Sequence, residues 1–258
     1  MSKVTDRLDN KQLVELAKKQ YEQSKQINKF PANIVKFPSA GKVYPESSPL
    51  RKGEIEMRHM TAYDEDILTN STDIRNGVIF DKLLESLIIT PGVDVDDLIY
   101  TDKESLIVSA RILGYGNDYT IVVKDKNDKS IKATIDLTKL NFKPFDLTSD
   151  ENGCFTYQTQ NGQEIKYRLL SESEVVSIDP EKQVSDYLGK SIYSVDGETN
   201  KKTIEDFIKY GLIAIESRKL RLAINENIPG IESNTQAIGE DGGTYSAVFQ
   251  FTADIFRV

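Results

Sequence analysis

Between Thr101 and Val123 the sequence changes its hydrophobic period, and no other feature restricts the fold as much. The stretch reads TDKESLIVSARILGYGNDYTIVV. Thr101 followed three residues later by Glu104 has the pattern of a capping box, in which hydroxyl and carboxylate each satisfy an orphan amide of a first helical turn. Leu106, Ala110 and Leu113 then recur at helical spacing with Ile107 beside them, which predicts a helix with a buried face. Gly114 stands where a left-handed terminal residue is expected, and Gly116 permits a second sharp turn. After that Tyr119, Ile121 and Val123 alternate with polar neighbours, the period of a strand. A helical layer therefore hands over to a β layer, and the expected class is α+β.

Upstream, two segments differ in character. Residues 1–29 are rich in Lys and Gln, with a thin apolar stripe of Leu13, Leu16, Ala17 and Tyr21. Such a stripe reads either as a solvated, fraying helix or as a helix that docks on another protein through Leu13 and Leu16. Residues 30–52 carry prolines at 31, 38, 45 and 49, which forbid regular helix and predict an extended arm. Phe30, Ile34, Phe37, Val43 and Tyr44 are too apolar for a plain linker. They lie either on the body of this protein or under a neighbouring subunit, and Phe37 and Tyr44 are the candidate partner-binding anchors.

The body is expected to start near Gly53. EIEMRHM alternates as a half-buried strand, and Thr61 caps a short helix through Leu68. A second helix is expected from Asp73 to Ile89, with Phe80, Leu83, Leu84 and Leu87 on one face and Thr90-Pro91-Gly92 as its stop. Beyond Val123, strands at Tyr119–Lys124, Ile131–Leu137, about Phe155–Tyr157 and Ile165–Leu169 have an antiparallel meander as their simplest topology. Asn161-Gly162 supplies the tight turn of the second pair. Ser171 with Glu174 is another capping box, Thr203 starts a further helix, and Leu220, Ala223 and Ile224 mark the buried face of the next. Tyr245, Ala247, Phe249 and Phe251 then share one face at period two. The expected organisation is an N-terminal helix and extended arm over 1–52, a helical core over 53–117, a four-stranded β insert over 118–170, a second helical part over 171–230 and a C-terminal β hairpin over 231–258.

Composition narrows the chemistry. A formal charge of −8 on 258 residues argues against nucleic acid or an anionic membrane surface as partner, since phosphates attract positive fields. No apolar run approaches the length of a membrane span, and the charged N-terminus does not read as a signal peptide. The single Cys154 excludes an intrachain disulfide and fits synthesis in a reducing compartment. His59 is the only histidine, so it and Cys154 together cannot supply a zinc site. The acidic residues Asp64, Glu65 and Asp66 read as carboxylates favoured at a helix start, and DVDD at 94–97 lacks the spacing of a calcium loop. GYGNDY follows a helix and lacks the third glycine of a dinucleotide fingerprint. No catalytic residue, cofactor or metal ligand can be singled out.

Several segments together resemble a known family. FPSAGKVYPE, GEIEMRHMTAYDEDIL, IFDKLLESLI, ESLIVSARILGYGNDYTIVV, EIKYRLLSESE, SIYSVDG, TIEDFI, SRKLRLAINENIPGI and FTADIFRV follow one another in the order seen in the baseplate proteins of T-even-type contractile-tailed bacteriophages. The resemblance covers roughly residues 36–258. It implies a non-enzymatic tail component, either a baseplate hub subunit or a factor that assembles the hub. Its partners would be other baseplate and hub proteins, with a homo-oligomer in the tail left open, and it would reach the virion baseplate after synthesis in the host cytoplasm. Family members often carry a Cys-x-x-Cys pair in the first β turn, implying a zinc ribbon, but here KDKND occupies that turn, so no zinc site carries over. The alternative class is a tail-tip enzyme such as a cell-wall hydrolase, with an interaction module of the host cell as a third.

Overall fold

The computed structural model describes residues 31–124 and 128–256, with the side chain of residue 253 left out. Strand β1 (Ala32–Lys36) pairs antiparallel with β2 (Glu54–Arg58), from Ala32 opposite Arg58 to Lys36 opposite Glu54. The loop between them corrects the expectation of an extended arm. Ala40 and Gly41 take positive φ, of 48° and 77°, and the chain folds back over a 3-10 turn, Pro49–Lys52. A Cβ on Gly41 would stand 2.3 Å from the Arg51 carbonyl oxygen, so only glycine lets the loop close this tightly. Proline did forbid helix here, but the glycines converted an extended segment into a compact one that buries Phe37, Val43, Tyr44 and Leu50.

Thr61 caps α1 (Ala62–Thr69) through the reciprocal box with Asp64. The single helix expected over 73–89 is two helices, α2 (Ser71–Asn76) and α3 (Ile79–Leu87). Gly77, at φ 73°, ends the first in the left-handed conformation, so the rotational phase restarts before Leu83, Leu84 and Leu87 turn inward. Helix α4 (Tyr100–Tyr115) carries the expected apolar face, with Leu106, Ile107 and Ala110 buried. Its ends differ from expectation. Thr101 lies inside the first turn, not at the cap, and the helix continues through Gly114 to the cap at Gly116, φ 84°. Gly114 serves another purpose: a Cβ there would lie 2.6 Å from Met60 Sδ.

The chain then enters β3 (Asp118–Lys124) and β4 (Ser130–Asp136), paired over their full length. Strands β5 (Phe155–Gln158) and β6 (Glu164–Tyr167) form the second expected hairpin, with Gly162 at φ 82° in its turn. The two hairpins do not form one meander. Helix α5 (Glu172–Val176), capped by the Ser171–Glu174 box, and α6 (Gln183–Ser191) lead into β7 (Ile192–Val195), which pairs with β6 to close a three-stranded sheet. Helix α7 (Lys201–Asp206) runs into a π-helical turn, Phe207–Gly211, before α8 (Ala214–Glu226). The C-terminal hairpin β8 (Asn234–Gly239) and β9 (Thr244–Val248) joins β4, with Ala133 opposite Gly239 and Thr134 opposite Ile238. The four-stranded sheet is therefore β3-β4-β8-β9, all antiparallel, and the architecture is α+β.

The meander failed because the free edge of β4 has a better suitor. Ala237, Ala247 and Phe249 of the C-terminal hairpin are buried with Ile135 and Ala133, and Phe249 meets Tyr119 edge-on with ring centroids 6.1 Å apart. The helix-to-sheet handover is locked by Arg111, whose guanidinium donates to the carbonyls of Gly116 (2.8 Å), Asp118 (3.1 Å) and Ile255 (3.0 Å). One buried cation thus ties the helix end, the first strand and the C-terminal turn together. Apolar residues from every segment, Val35 to Ile255, join one core.

Candidate functional site

The loop after β1 and the start of α4 meet at Asp102, which is fully buried. Its carboxylate accepts from the Ser39 amide (2.9 Å), the Ser39 hydroxyl (2.6 Å) and the Tyr44 phenol (2.7 Å). The Tyr44 oxygen in turn accepts from the Ile99 amide at 3.2 Å, satisfying the donor just before the helix. Burial pushes the Asp102 carboxyl up to about 6 despite these donors, and burial together with Asp102 lifts the Tyr44 phenol well above its ordinary value.

A hydroxyl on a carboxylate is the beginning of an activated nucleophile. Here that chemistry is blocked by geometry. Ser39 is fully buried, and its Oγ also accepts from the Gly41 amide at 3.1 Å. The trio clamps a loop to a helix; it does not face a substrate.

Outside the clamp lies a cavity of about 620 Å³, walled by Tyr44, Pro45, Pro49, Asp97, Arg168 and Glu174 among others. Arg168 is already engaged, its two terminal nitrogens forking onto the Glu174 carboxylate, with Nη1 to Oε2 at 2.7 Å. The same carboxylate accepts from the Ser171 amide at 3.1 Å, so the cation belongs to a helix start. Asp97 is raised, first by burial and then by Asp94, Asp96 and Glu174. Nearby, Lys103 bridges Asp81 and Glu172, while burial and the charge of Glu172 push Glu104 up to about 7. The walls offer apolar contact and negative charge, with no activated nucleophile among the residues that face it.

Phe37 and Tyr44 correct the expectation of partner anchors. They are 1% and 4% exposed, packed edge-to-face against each other at 6.1 Å and 89°, and belong to this chain's own core. The same large rings that suit an interface suit a core, and the Gly41 fold-back turned them inward. Leu13 and Leu16 lie outside the described residues. His59 is half-buried, with its Nε2 2.8 Å from Asn33 Oδ1, linking the ends of β2 and β1. Cys154 is buried, and burial pushes its thiol up to about 11. Among the described residues no group of three or more His, Cys, Asp or Glu is placed to hold a metal ion, and no helix is long and apolar enough to cross a membrane.

Three charged groups escape sequence reading: Asp102, Arg111 and the pair Arg58–Asp64. The Arg58 guanidinium meets Asp64 with two bonds of 2.8 Å and also donates to the Ser86 hydroxyl and carbonyl. Asp64 accepts further from the Thr61 amide and hydroxyl and from the Ser86 hydroxyl. Burial alone would raise Asp64, but the donors from Arg58, Thr61 and Ser86 hold it below its ordinary value. Sequence places Thr61 at a helix cap and Asp64 in the first turn, but says nothing of the arginine. Comparison of the chain with protein-family models, with curated proteins and with solved structures gave no match.

Proposed function

We propose that this chain is a non-enzymatic structural or assembly component of a contractile bacteriophage tail baseplate, a hub subunit or a factor that assembles the hub. It works through protein–protein contacts. The reading begins from the resemblance of the ordered segments FPSAGKVYPE to FTADIFRV to that family. The observation that carries it further is where the polar residues of those segments are engaged. Ser39 and Tyr44 of the first segment are bound to Asp102, Arg58 of the second to Asp64, and Arg168 to Glu174. Groups that would do chemistry in an enzyme hold internal joints here.

The experiment is a quantitative mass-spectrometric inventory of purified virions and of baseplate intermediates. A hub subunit is present in both at fixed copy number; an assembly factor is present in the intermediates and missing from the virion. Absence from both, or peptidoglycan turnover by the purified chain that a single Asp or Glu substitution abolishes, would overturn the proposal in favour of another class.

A further inference from the structure

Helices α5, α6 and α8 together make one face of the molecule. Between these helices opens a hollow of about 420 Å³ whose walls include Val175, Ile178, Pro180, Val184, Tyr187 and Arg221. Val175 and Val184 stand exposed on its rim, and Val176 beside them is 79% exposed. Pro180, Gln183 and Val184 also wall a second hollow of about 500 Å³, where Leu188, Ile208 and Leu212 are found together with the charged Glu181 and Lys182. Ile208 belongs to the π-helical turn Phe207–Gly211, and such turns recur at functional positions because they break a regular ladder to place a side chain.

The polar content of the first hollow points to its occupant. Arg221 lines it, and its Nε–H is buried yet meets no acceptor among the described residues. Other guanidiniums of this chain that are buried or half-buried are used: Arg58 on Asp64, Arg111 on three carbonyls and Arg168 on Glu174. The Arg221 Nε–H is out of a docked group's reach, but the Nη end of the half-buried guanidinium also makes no hydrogen bond or ion pair with the described residues, and a carboxylate answers it with two parallel bonds. One cation framed by valine, isoleucine, proline and tyrosine, with the amides of Gln183 and Asn225 beside it, does not resemble a phosphate-tracking surface, which needs several cations in a row.

We propose that this groove is the docking site for a partner polypeptide that presents an Asp or Glu side chain flanked by apolar residues, the carboxylate meeting Arg221 and the apolar neighbours filling the hollows on either side of Val184. The inference deepens the protein-contact reading above and rests on it, adding the face and the chemistry of the segment it receives.

The test places the photoreactive residue p-benzoylphenylalanine at position 184 of the full chain, with position 122 on the open face of the four-stranded sheet as reference. Crosslinking is done in the cells that make the protein naturally, and the crosslinked peptide is sequenced. The expected result is one partner segment containing Asp or Glu between apolar residues. Arg221→Gln, which leaves the folded chain's internal bonds intact, should lower the yield at position 184 by about tenfold, the factor that 1.4 kcal/mol represents. Arg221→Lys should retain part of it, and reversing both charges, Arg221→Glu with the partner's acid changed to Arg, should restore it. No crosslink at 184, a crosslinked segment without an acid, or an Arg221→Gln yield equal to the parent's overturns the groove. Crosslinks from position 122 to tail proteins alone would remove the groove and leave the baseplate reading standing. A crosslink at 184 to an acid-bearing protein from outside any tail would uphold the groove and remove the baseplate reading.

Discussion

The Tyr44 hydroxyl donates to Asp102 at 2.7 Å across 58 residues of chain. With the two donors of Ser39 it fastens the proline-containing loop to the first turn of α4. This contact explains why the loop is core, and it sets the first two predictions.

Tyr44→Phe keeps the ring in its place and removes only the hydroxyl. It leaves the Ile99 amide without its acceptor and Asp102 with one donor fewer, so a loss of about 1–3 kcal/mol is expected in chemical denaturation. Phe37→Ala, at a site 1% exposed, should cost about 3–5 kcal/mol. If both variants melt with the parent, the loop is not part of the core.

Asp102 also makes stability depend on pH in an uncommon direction. Its folded carboxyl is pushed up to about 6 from an ordinary value of 3.8. Between these values the native protein holds a proton that the unfolded chain has released. The contribution of this group therefore falls as pH rises from about 4 to 6, by roughly 3 kcal/mol at 1.36 kcal/mol per unit. Glu104, pushed up to about 7, acts in the same direction and extends the window. Asp64 and Glu174 are held low, so their contributions vanish only as pH falls below the ordinary carboxylate range. Urea midpoints measured from pH 4 to 7.5 should show the decline, and Asp102→Asn should flatten it. A parent curve and a variant curve of equal slope would refute the assignment.

The loop's closure rests on a glycine whose replacement can be compared with a control. Gly41 and Gly162 have similar φ, 77° and 82°, but a Cβ on the first meets the Arg51 backbone while the second faces open space. Gly162→Ala should cost about 1–2 kcal/mol, the conformational penalty alone. Gly41→Ala should cost clearly more, because backbone must move as well. Equal midpoint shifts for the pair would show that the close approach is absent.

Arg58→Ala should be among the most damaging single changes. It strands the Asp64 carboxylate, whose side chain is fully buried, and the expected loss is about 3–5 kcal/mol. Replacing both partners with apolar residues of similar volume should cost less than the single change. Thermal denaturation of the single and double variants checks this ordering.

Features written within a few neighbouring residues are legible in the sequence itself. The cap at Thr61 and the Ser171–Glu174 box are each written within four residues, and both form. Asn161-Gly162 turns where its dipeptide says it should, and Tyr245, Ala247 and Phe249 do face the core side of the last hairpin. Thr101 with Glu104 has the same local pattern, yet the cap lies two residues earlier, at Ile99, and Asp102 is drawn in by Ser39 and Tyr44 from a distant loop. Nothing near Asp102 or Arg111 announces that either is buried, since a charged residue inside an apolar period reads as the solvated face. The composition of Phe37 and Tyr44 is common to cores and interfaces, so only the fold-back at Gly41 decides between them. Arg221 is invisible for a further reason: an unmatched donor is a property of the surroundings, not of the residue.

The pairing of Ala133 with Gly239 has a consequence for the order in which the protein is made. Strand β4 leaves the ribosome about a hundred residues before the hairpin that covers its edge. At roughly 5–20 residues per second that is on the order of 5–20 s with one edge unpaired. The hairpin β3-β4 must wait in that state, and an unpaired edge recruits whatever strand comes near. Slow translation between residues 136 and 234, or a shortage of chaperones that shield nascent edges, should therefore lower the soluble yield of this protein without altering a single contact in its finished fold.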